Sequence, residues 1–369
     1  MKLLSRDEFR ESVLSRDKGI CVTCLLPATA AHHIIDRALF EDGGYYLDNG
    51  ASLCDDCHIR AEKGIFTCDE IRKVARINTI VLPPQLDPSK SWDKWGHEII
   101  EEKIIKYPRT RHIVGSGLQK DDEADYATIE ELQGKRLVVE EKIDGANTGI
   151  SFVDYELRLQ CRGHFLGLGN DWPEFDQFKV WANTWTDQFF DILEDRYIMY
   201  GEWMSGFHSV FYDLLPHYFM EFDIYDKKER VFLDTPSRNK MVEKANVKIS
   251  QVRVITEGKF DSIDDIVKNV GLSAFISDKA YNILEREMRE KDVSEGERDL
   301  LLKFNKDRVM EGLYIKWEED GIVKGRYKYV RPGFVQTILS TGEHWTTRPS
   351  IDNRMAEGRS MFEVNAPLA

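Results

Sequence analysis

The sequence predicts an α+β chain in two parts: a small module held together by a metal, then a larger domain of antiparallel sheets with flanking helices. Three observations predict this. Five of the six cysteines lie before residue 69, and four of them form two Cys-x2-Cys pairs. From residue 135 onward, short β-branched and aromatic runs alternate in polarity, as strands with one buried face do. Between 261 and 309 the apolar period lengthens toward that of a helix, so helices interrupt a run of strands instead of alternating with them.

A length of 369 residues implies two or three domains. With 42% hydrophobic and 31% charged residues, a disordered chain is excluded. No apolar run approaches the ~18 residues of a membrane span. Arg6, Asp7 and Glu8 interrupt the start too early for a signal peptide. A soluble, cytoplasmic protein with no membrane partner is expected; the sequence names no protein partner. Lys plus Arg (51) against Asp plus Glu (65) gives −14, which excludes coating nucleic acid by bulk charge. Locally the sign reverses: over 321–348, Lys324, Arg326, Lys328, Arg331 and Arg348 face only Glu343, five against one, or +4. Any polyanion should be met there.

The elements follow in order. Ser5 with Glu8 makes a capping box for a helix over roughly 6–17, and Thr67 with Glu70 makes another for a helix to about 78. Three prolines at 83, 84 and 88 mark a boundary, giving a first domain at 1–80, a connecting segment at 81–106 and a second domain at 107–369. Strands are expected at 135–143, 148–153, 156–163, 196–203, 217–226, 251–255, 311–317 and 322–331. Ser294 and Glu297 make a third capping box within the helical block.

Cys21-x2-Cys24 and Cys54-x2-Cys57 suit a structural zinc. Four thiolates fill its closed tetrahedral shell, and the metal supplies folding energy that a small core lacks. A disulfide framework would not be confined to one end of such a chain. Between and after the pairs stand His32-His33-Ile34, Asn49 within Leu47-Asp48-Asn49-Gly50, and His58. Here the sequence resembles the HNH endonucleases, whose ββα metal finger is commonly braced by two such knuckles. The resemblance implies His33 as general base, His32 and His58 as ligands of a divalent metal, and Asn49 as the residue orienting the strand that carries the base. An imidazole with a pKa near ~6.5 can take a proton from water, and a cation with few protein ligands keeps positions open for a phosphate. Adjacent strand residues point to opposite faces, so His32 and His33 differ in role only across a bend or on separate sides. The plainer alternative is a zinc-stabilised knob that grips nucleic acid.

In the second domain, Leu137-Val138-Val139-Glu140-Glu141-Lys142-Ile143-Asp144-Gly145 puts Lys142 at the end of an apolar strand before a tight turn. To act as a nucleophile the amine must lose its proton, so its pKa is expected to sit well below the usual ~10.4. Alternation puts Arg158, Gln160 and Arg162 on one strand face, and Lys324, Arg326 and Lys328 on another. The Lys-x-Asp-Gly run resembles that of the covalent nucleotidyltransferases, and the order of Arg162, Glu202, Phe222, Glu311 and the basic strand is similar to RNA ligases of the T4 RNA ligase 2 kind over most of 107–348. That resemblance implies a nucleotidyltransferase domain using ATP with Mg2+ or Mn2+. Lys142 would carry the AMP, and Asn147 would engage the 5′ phosphate end or the adenylate's surroundings. Arg162 would contact the 5′-phosphate strand, Glu202 the ribose, Phe222 the adenine, Glu311 the metal, and Lys328 with Arg326 the α-phosphate. The family usually shows Lys-x-Lys where this chain has Arg326-Tyr327-Lys328, so Lys324 is a rival for the first basic position. Phe222 alone reads as core, and Glu202 or Glu311 alone as a surface carboxylate.

Only 38 residues follow Arg331, fewer than the OB-fold that DNA ligases and capping enzymes usually carry there, which favours RNA over DNA as substrate. Trp345, among basic and polar residues, is a candidate base-stacking side chain, with a folded C-terminal strand the equal alternative for this segment. Joined, the two halves imply an ATP-dependent RNA ligase sealing 3′-OH and 5′-phosphate ends, on nicked duplex or hybrid, in RNA repair. The alternatives are an HNH endonuclease with a ligase-like binding module, or a DNA nick ligase.

Overall fold

The computed structural model describes residues 2–99, 103–117, 125–167, 172–332 and 350–363. Trp345, Arg348 and Glu343 lie outside them. The chain forms two compact units, Met1–Lys103 and Ile104–Ala369. Among the described residues no helix is long and apolar enough to cross a membrane.

In the first unit, helix α1 (Arg6–Arg16) opens on the Ser5–Glu8 box, with the Glu8 N–H donating to Ser5 Oγ and the Ser5 N–H to the Glu8 carboxylate. Strands β1 (Ala30–His33) and β2 (Gly50–Leu53) pair antiparallel, His33 opposite Gly50, and helix α2 (Asp55–Glu62) follows. Gly50 lets α1 lie directly on β2, because a Cβ there would stand 2.5 Å from Val13 and 2.6 Å from Phe9. Helix α3 (Cys68–Val74) opens on the Thr67–Glu70 box and ends short of 78, where Arg76 turns left-handed at φ 56°. Residues 81–99, expected to connect domains, are folded onto this unit instead. They form a hairpin of β3 (Ser91–Trp92) and β4 (Glu98–Ile99), and Val81 is buried in the core with Ile34, Ile35 and Ile71. The prolines turn the chain without separating it from that core.

The second unit contains β5 (Arg111–Ile113), β6 (Tyr126–Ala127), α4 (Ile129–Leu132), β7 (Leu137–Lys142), β8 (Ala146–Val153), β9 (Glu156–Cys161), α5 (Asp176–Thr184), α6 (Thr186–Leu193), β10 (Tyr197–Trp203), β11 (Phe219–Asp226), β12 (Val231–Phe232), α7 (Thr235–Glu243), β13 (Ser250–Gln251), β14 (Val254–Gly258), α8 (Ile263–Val267), α9 (Ala280–Glu290), α10 (Glu295–Asn305), β15 (Gly312–Glu319) and β16 (Ile322–Val330). They build two six-stranded sheets, β12-β11-β10-β8-β9 with β13 beside β11, and β14-β7-β15-β16-β5-β6. The long strands pair antiparallel as expected. The short strands β13, β5 and β6 add in parallel, so the sheets are mixed and not purely antiparallel. The run at 251–255, expected as one strand, splits because the chain changes sheets within it: β13 pairs with β11, and β14 with β7. Ser294 caps α10 by position, but its hydroxyl makes no capping bond, unlike the other two boxes.

Alternation sorts β10 between two cores. Met199 and Trp203 pack with Phe178, Trp181 and Phe189 of α5 and α6, whereas Ile198 and Tyr200 join Phe222, Phe232 and residues of α9 and α10. Leu159 and Cys161 of β9 also face the α5–α6 side. The two sheets meet through buried charges. Lys316 Nζ of β15 pairs with Glu140 of β7 at 2.9 Å and Asp223 of β11 at 3.2 Å.

Candidate active site

Lys142 ends β7 opposite Gly312, the first residue of β15. A Cβ on Gly312 would fall 1.9 Å from the Tyr329 carbonyl oxygen, so only glycine lets β16 pass close here. The residue before it, Glu311, accepts from Lys142 Nζ with both oxygens, at 2.7 and 2.6 Å. The turn beyond the lysine is pinned residue by residue. Ile143 is buried. Asp144 Oδ2 accepts from the N–H groups of Ser209 and Val210 at 2.8 and 3.1 Å, and its own N–H donates to the Tyr212 hydroxyl at 2.9 Å. A Cβ on Gly145 would stand 2.6 Å from Met204 Sδ and 2.8 Å from the Trp203 carbonyl. The Lys-x-Asp-Gly run is thus a packing requirement at every position after the amine.

Asn147 of β8 is the register partner of Glu202 of β10. Among the described residues, Asn147 Oδ1 and Glu202 Oε2 are both buried without a hydrogen-bond partner. Burial pushes Glu202 up to about 8; Lys142 opposes this, Glu311 and Asp144 add to it, and Arg162 opposes it. Burial likewise pushes Glu311 up to about 7 against the charges of Lys142 and Lys328. Lys142 itself runs contrary to the sequence expectation. Burial alone would lower it, but Glu311, Asp144 and Glu202 outweigh that and hold its pKa above the ordinary lysine value. The amine is therefore kept as an ammonium, because three carboxyl groups surround it.

The structure brings Lys142, Asn147, Arg162, Glu202, Glu311 and Lys328 together. Arg326 stands in the adjoining layer, its Nε 3.1 Å from Asp223 and its guanidinium 3.6 Å above the Phe232 ring. Lys324 pairs with Asp320 in the β15–β16 turn at 3.5 Å. Phe222 lies within the core, edge-on to Tyr107 at 5.1 Å and 6.4 Å from Tyr314. Sequence reasoning missed Tyr107, Asp223 and Lys316. The Tyr107 hydroxyl donates to Asp223 Oδ2 at 2.5 Å and meets the Tyr314 hydroxyl at 2.6 Å. The available signal was Glu221 and Asp223, acids inside an apolar strand and both fully buried.

In the first unit, the thiols of Cys21, Cys24, Cys54 and Cys57 all lie within 4.8 Å of one another, Cys24 and Cys54 at 3.6 Å. Zinc–sulfur bonds of ~2.3 Å in a tetrahedron set sulfurs about 3.8 Å apart, so this donor set fits zinc. A second group joins His32 and His58 with Glu62, four residues beyond His58 on α2 and absent from the sequence candidates. The His-x3-Glu spacing on a helix puts both on one face. Glu62 Oε1 lies 3.4 Å from His32 Nδ1 and 3.3 Å from His58 Nε2, and it pairs with the buried Lys94 ammonium. His33 faces the other side of β1, stacked on Phe9 at 4.5 Å and edge-on to Tyr45 at 5.2 Å, with Nε2 buried and unpartnered. Burial, then the charge of Lys94, holds it down to about 4, so the ring is neutral. Asn49 is buried and braces the chain after β1: Oδ1 accepts from the Ile35 N–H at 2.9 Å, and Nδ2 donates to the carbonyls of Ile35 and Gly44.

These observations define an α+β protein whose larger unit gathers a lysine, acids and cations at the ends of paired strands. The sequence model of the RNA ligase family matches residues 135–330, just over half of the chain and the whole span from the start of β7 to the end of β16, and the chain belongs to that family. No curated protein matches it. Solved structures similar to it include Naegleria gruberi RNA ligase. An unliganded variant has 15% identity and a TM-score of 0.40, covering 92% of this chain and 84% of that one. The same ligase with pyrophosphate has 16% identity and a TM-score of 0.38, with 92% and 84% coverage. Family membership rests on the sequence match and not on these likenesses.

Proposed function

We propose that the chain is an ATP-dependent RNA ligase of the T4 RNA ligase 2 kind, working through an adenylate on Lys142 and sealing 3′-OH to 5′-phosphate ends in RNA repair. The observation that carries this is the Lys142 site itself. A nucleophile-type side chain is fixed by its turn, faced by Glu311 and Glu202 and flanked by Arg162 and Lys328, all inside the family-matched span. In the first step the neutral amine attacks the α-phosphorus of ATP, a nitrogen–phosphorus bond forms and pyrophosphate leaves. The proton released from the ammonium passes to solvent, because Glu202, raised by burial to about 8, already holds its own proton near neutral pH. The AMP then moves to a 5′-phosphate, freeing Lys142, and a 3′-hydroxyl displaces it.

Positive groups stabilise charge on phosphoryl oxygens in each step. Lys328 and Arg162 supply it here, and Asn147 is placed beside Glu202 to orient the nucleotide or the 5′ end. Glu311 is the residue that would hold Mg2+ or Mn2+, which would supply electrostatic stabilisation of the phosphates, and Glu202 is assigned to the ribose. Phe222 is assigned to adenine through the edge of its aromatic layer, and Arg326 acts from behind by fixing Asp223. Incubation with α-labelled ATP and Mg2+ should give an adduct that survives denaturation in the wild type and is absent in Lys142→Ala. No adduct with the wild-type protein would refute the reading.

For the first unit we propose an HNH-type finger, its ββα frame formed by β1, β2 and α2, with zinc on the four cysteines and a divalent metal on His32, His58 and Glu62. One observation favours gripping nucleic acid over cutting it: His33, the candidate base, lies across β1 from those ligands with its ring stacked on Phe9. Cleavage of RNA and DNA by wild type and His33→Ala separates the two, since equal activity removes His33 from any cutting mechanism.

A further inference from the structure

Residues 204–215 form a buried loop that lies outside any helix or strand, so its backbone polar groups need partners from elsewhere. Two buried asparagines supply several of them. Asn305, from α10, accepts from the Phe211 N–H at 2.8 Å and donates to the Ser209 carbonyl at 2.9 Å. Asn353 lies beyond the family-matched span and is 1% exposed. Its Oδ1 accepts from the Tyr212 N–H at 2.9 Å, and its Nδ2 donates to the carbonyls of Met204 and Gly206 at 2.8 and 2.9 Å. Its own N–H donates to the Ser205 carbonyl at 2.8 Å, and its carbonyl accepts from the Tyr218 hydroxyl at 2.9 Å.

What this loop holds is the turn that carries Lys142. Tyr212, whose N–H is tied by Asn353, offers its hydroxyl to the Asp144 N–H at 2.9 Å. Ser209 and Val210, whose neighbours are tied by Asn305, donate to Asp144 Oδ2. Met204, tied by Asn353, packs where a Cβ on Gly145 would clash. Two of the three side-chain hydrogen bonds of Asn353, those to Tyr212 and Met204, therefore end on loop residues that also meet the Lys-x-Asp-Gly turn.

We propose that Asn353 is a positioning residue of the lysine site, acting through Tyr212 and Asp144 to fix where the Lys142 amine points. The inference rests on the adenylation reading and adds to it a residue that the match over 135–330 does not contain. Replacing the side chain strands one N–H and two carbonyls in a dry loop, which must shift to rehydrate them. A misplacement of about 1 Å in a reacting group can cost on the order of a hundredfold in rate. The effect belongs on the chemical step, because Asn353 touches none of the residues assigned to nucleotide or metal.

The test is single-turnover adenylation of the full chain with α-labelled ATP and Mg2+, reading amplitude and rate constant separately over a range of ATP concentrations. Asn353→Ala is expected to lower the rate constant at saturating ATP by about tenfold or more. The amplitude and the half-saturating ATP concentration should stay close to wild type. Asn353→Asp keeps the acceptor for the Tyr212 N–H but turns an oxygen on the carbonyls of Met204 and Gly206, so its rate constant should be no higher than that of Asn353→Ala. Tyr212→Phe, which keeps the fold's packing and removes only the hydroxyl, should show the same rate loss and makes the test independent of whether Asn353→Ala folds. A loss of amplitude with the rate constant retained would mean that Asn353 merely keeps molecules folded, and would overturn the proposal. So would wild-type rates in Tyr212→Phe. Failure of the wild-type chain to form any adduct is a separate result and overturns the adenylation reading beneath it.

Discussion

The ion pair at Lys142 makes a quantitative prediction. Both Glu311 oxygens lie within hydrogen-bond distance of Nζ, at 2.7 and 2.6 Å, and Glu311 is almost fully buried. A hydrogen bond to a charged group is worth about 1.5–3 kcal/mol, and about 1.36 kcal/mol corresponds to a tenfold change in a protonation equilibrium. Glu311→Gln keeps the shape and removes the charge, so the neutral fraction of Lys142 should rise by roughly ten- to a hundredfold. Asp144 and Glu202 remain, and the amine stays mostly protonated near neutral pH. The sign for stability follows from a pKa raised on folding. The amine's share of that stability is present below the ordinary lysine range, wherever Glu311 is ionised, above about 7, and is lost as pH rises through the higher folded lysine value. Trace acylation with an amine-reactive anhydride, read by peptide mass spectrometry, measures the neutral fraction, with the exposed Lys63 as internal standard. The Lys142-to-Lys63 labelling ratio should be low in the wild type and about tenfold or more higher in Glu311→Gln. An unchanged or smaller ratio would falsify the assignment of Glu311 as the group that holds the proton on Lys142.

Gly145→Ala forces a methyl against Met204 Sδ and the Trp203 carbonyl; a loss of about 1–3 kcal/mol in urea denaturation is expected, and a loss below about 0.5 kcal/mol would mean that the loop yields freely. About one equivalent of tightly held zinc per chain should be found by atomic absorption and should disappear in the double variant Cys24→Ser, Cys54→Ser; retention of that zinc would place it elsewhere. Glu202 and Glu311 keep protons to about 8 and about 7 in the folded site but release them near their ordinary values when unfolded. Stability of the nucleotide-free protein should therefore be greatest at the acid end of this window and fall as pH rises from about 5 to 8, with Glu202→Gln flattening the slope of urea midpoints against pH. A midpoint that rises over the same window would contradict those two shifts.

The parts of the site that were legible in sequence are those where chemistry and local geometry coincide. Lys142, Asp144 and Gly145 sit in one turn, and Glu202 and Asn147 fall on facing positions because alternation along β8 and β10 is regular there. The basic strand was less legible. Period two puts Lys324, Arg326 and Lys328 on one face, but a register shift between Trp317 and Glu318 and the long-range claim of Asp223 on Arg326 leave Lys328 alone of the three beside Glu311. The lysine's protonation was misread for a different reason: its sign depends on how many carboxyl groups converge from β7, β10 and the start of β15, and no window of sequence contains that sum. Glu62 was within reach, since a helical step of four from His58 is visible once α2 is placed. Asn353 was not, because nothing near it in sequence reports a loop more than a hundred residues earlier.

Two clusters of charge lie close together in the larger unit, and the contrast between them separates frame from reactive site. In the central one, Glu140 bonds Arg238 and Lys316 at 2.9 Å each, and Asp223 takes Lys316 at 3.2 Å and Arg326 at 3.1 Å. Glu221 closes the set, with Arg238 at 3.6 Å and Gln251 at 2.8 Å. Acids and bases there are matched in number, and the cations hold Asp223 down to about 2 despite its burial, whereas burial still raises Glu221. Such a layer adds little stability over apolar packing, but removing one partner from it costs about 3–5 kcal/mol, so it fixes which strands face one another. It ties β7, β11, β15, β16 and α7 into one register. At the lysine end the numbers are also even, Asp144, Glu202 and Glu311 with Lys142, Arg162 and Lys328, but burial drives Glu202 up to about 8 and Glu311 up to about 7. The matched layer is locked in pairs between strands, whereas the raised carboxyls around the amine hold protons that an incoming cation would displace, and that difference separates the frame from the reactive end.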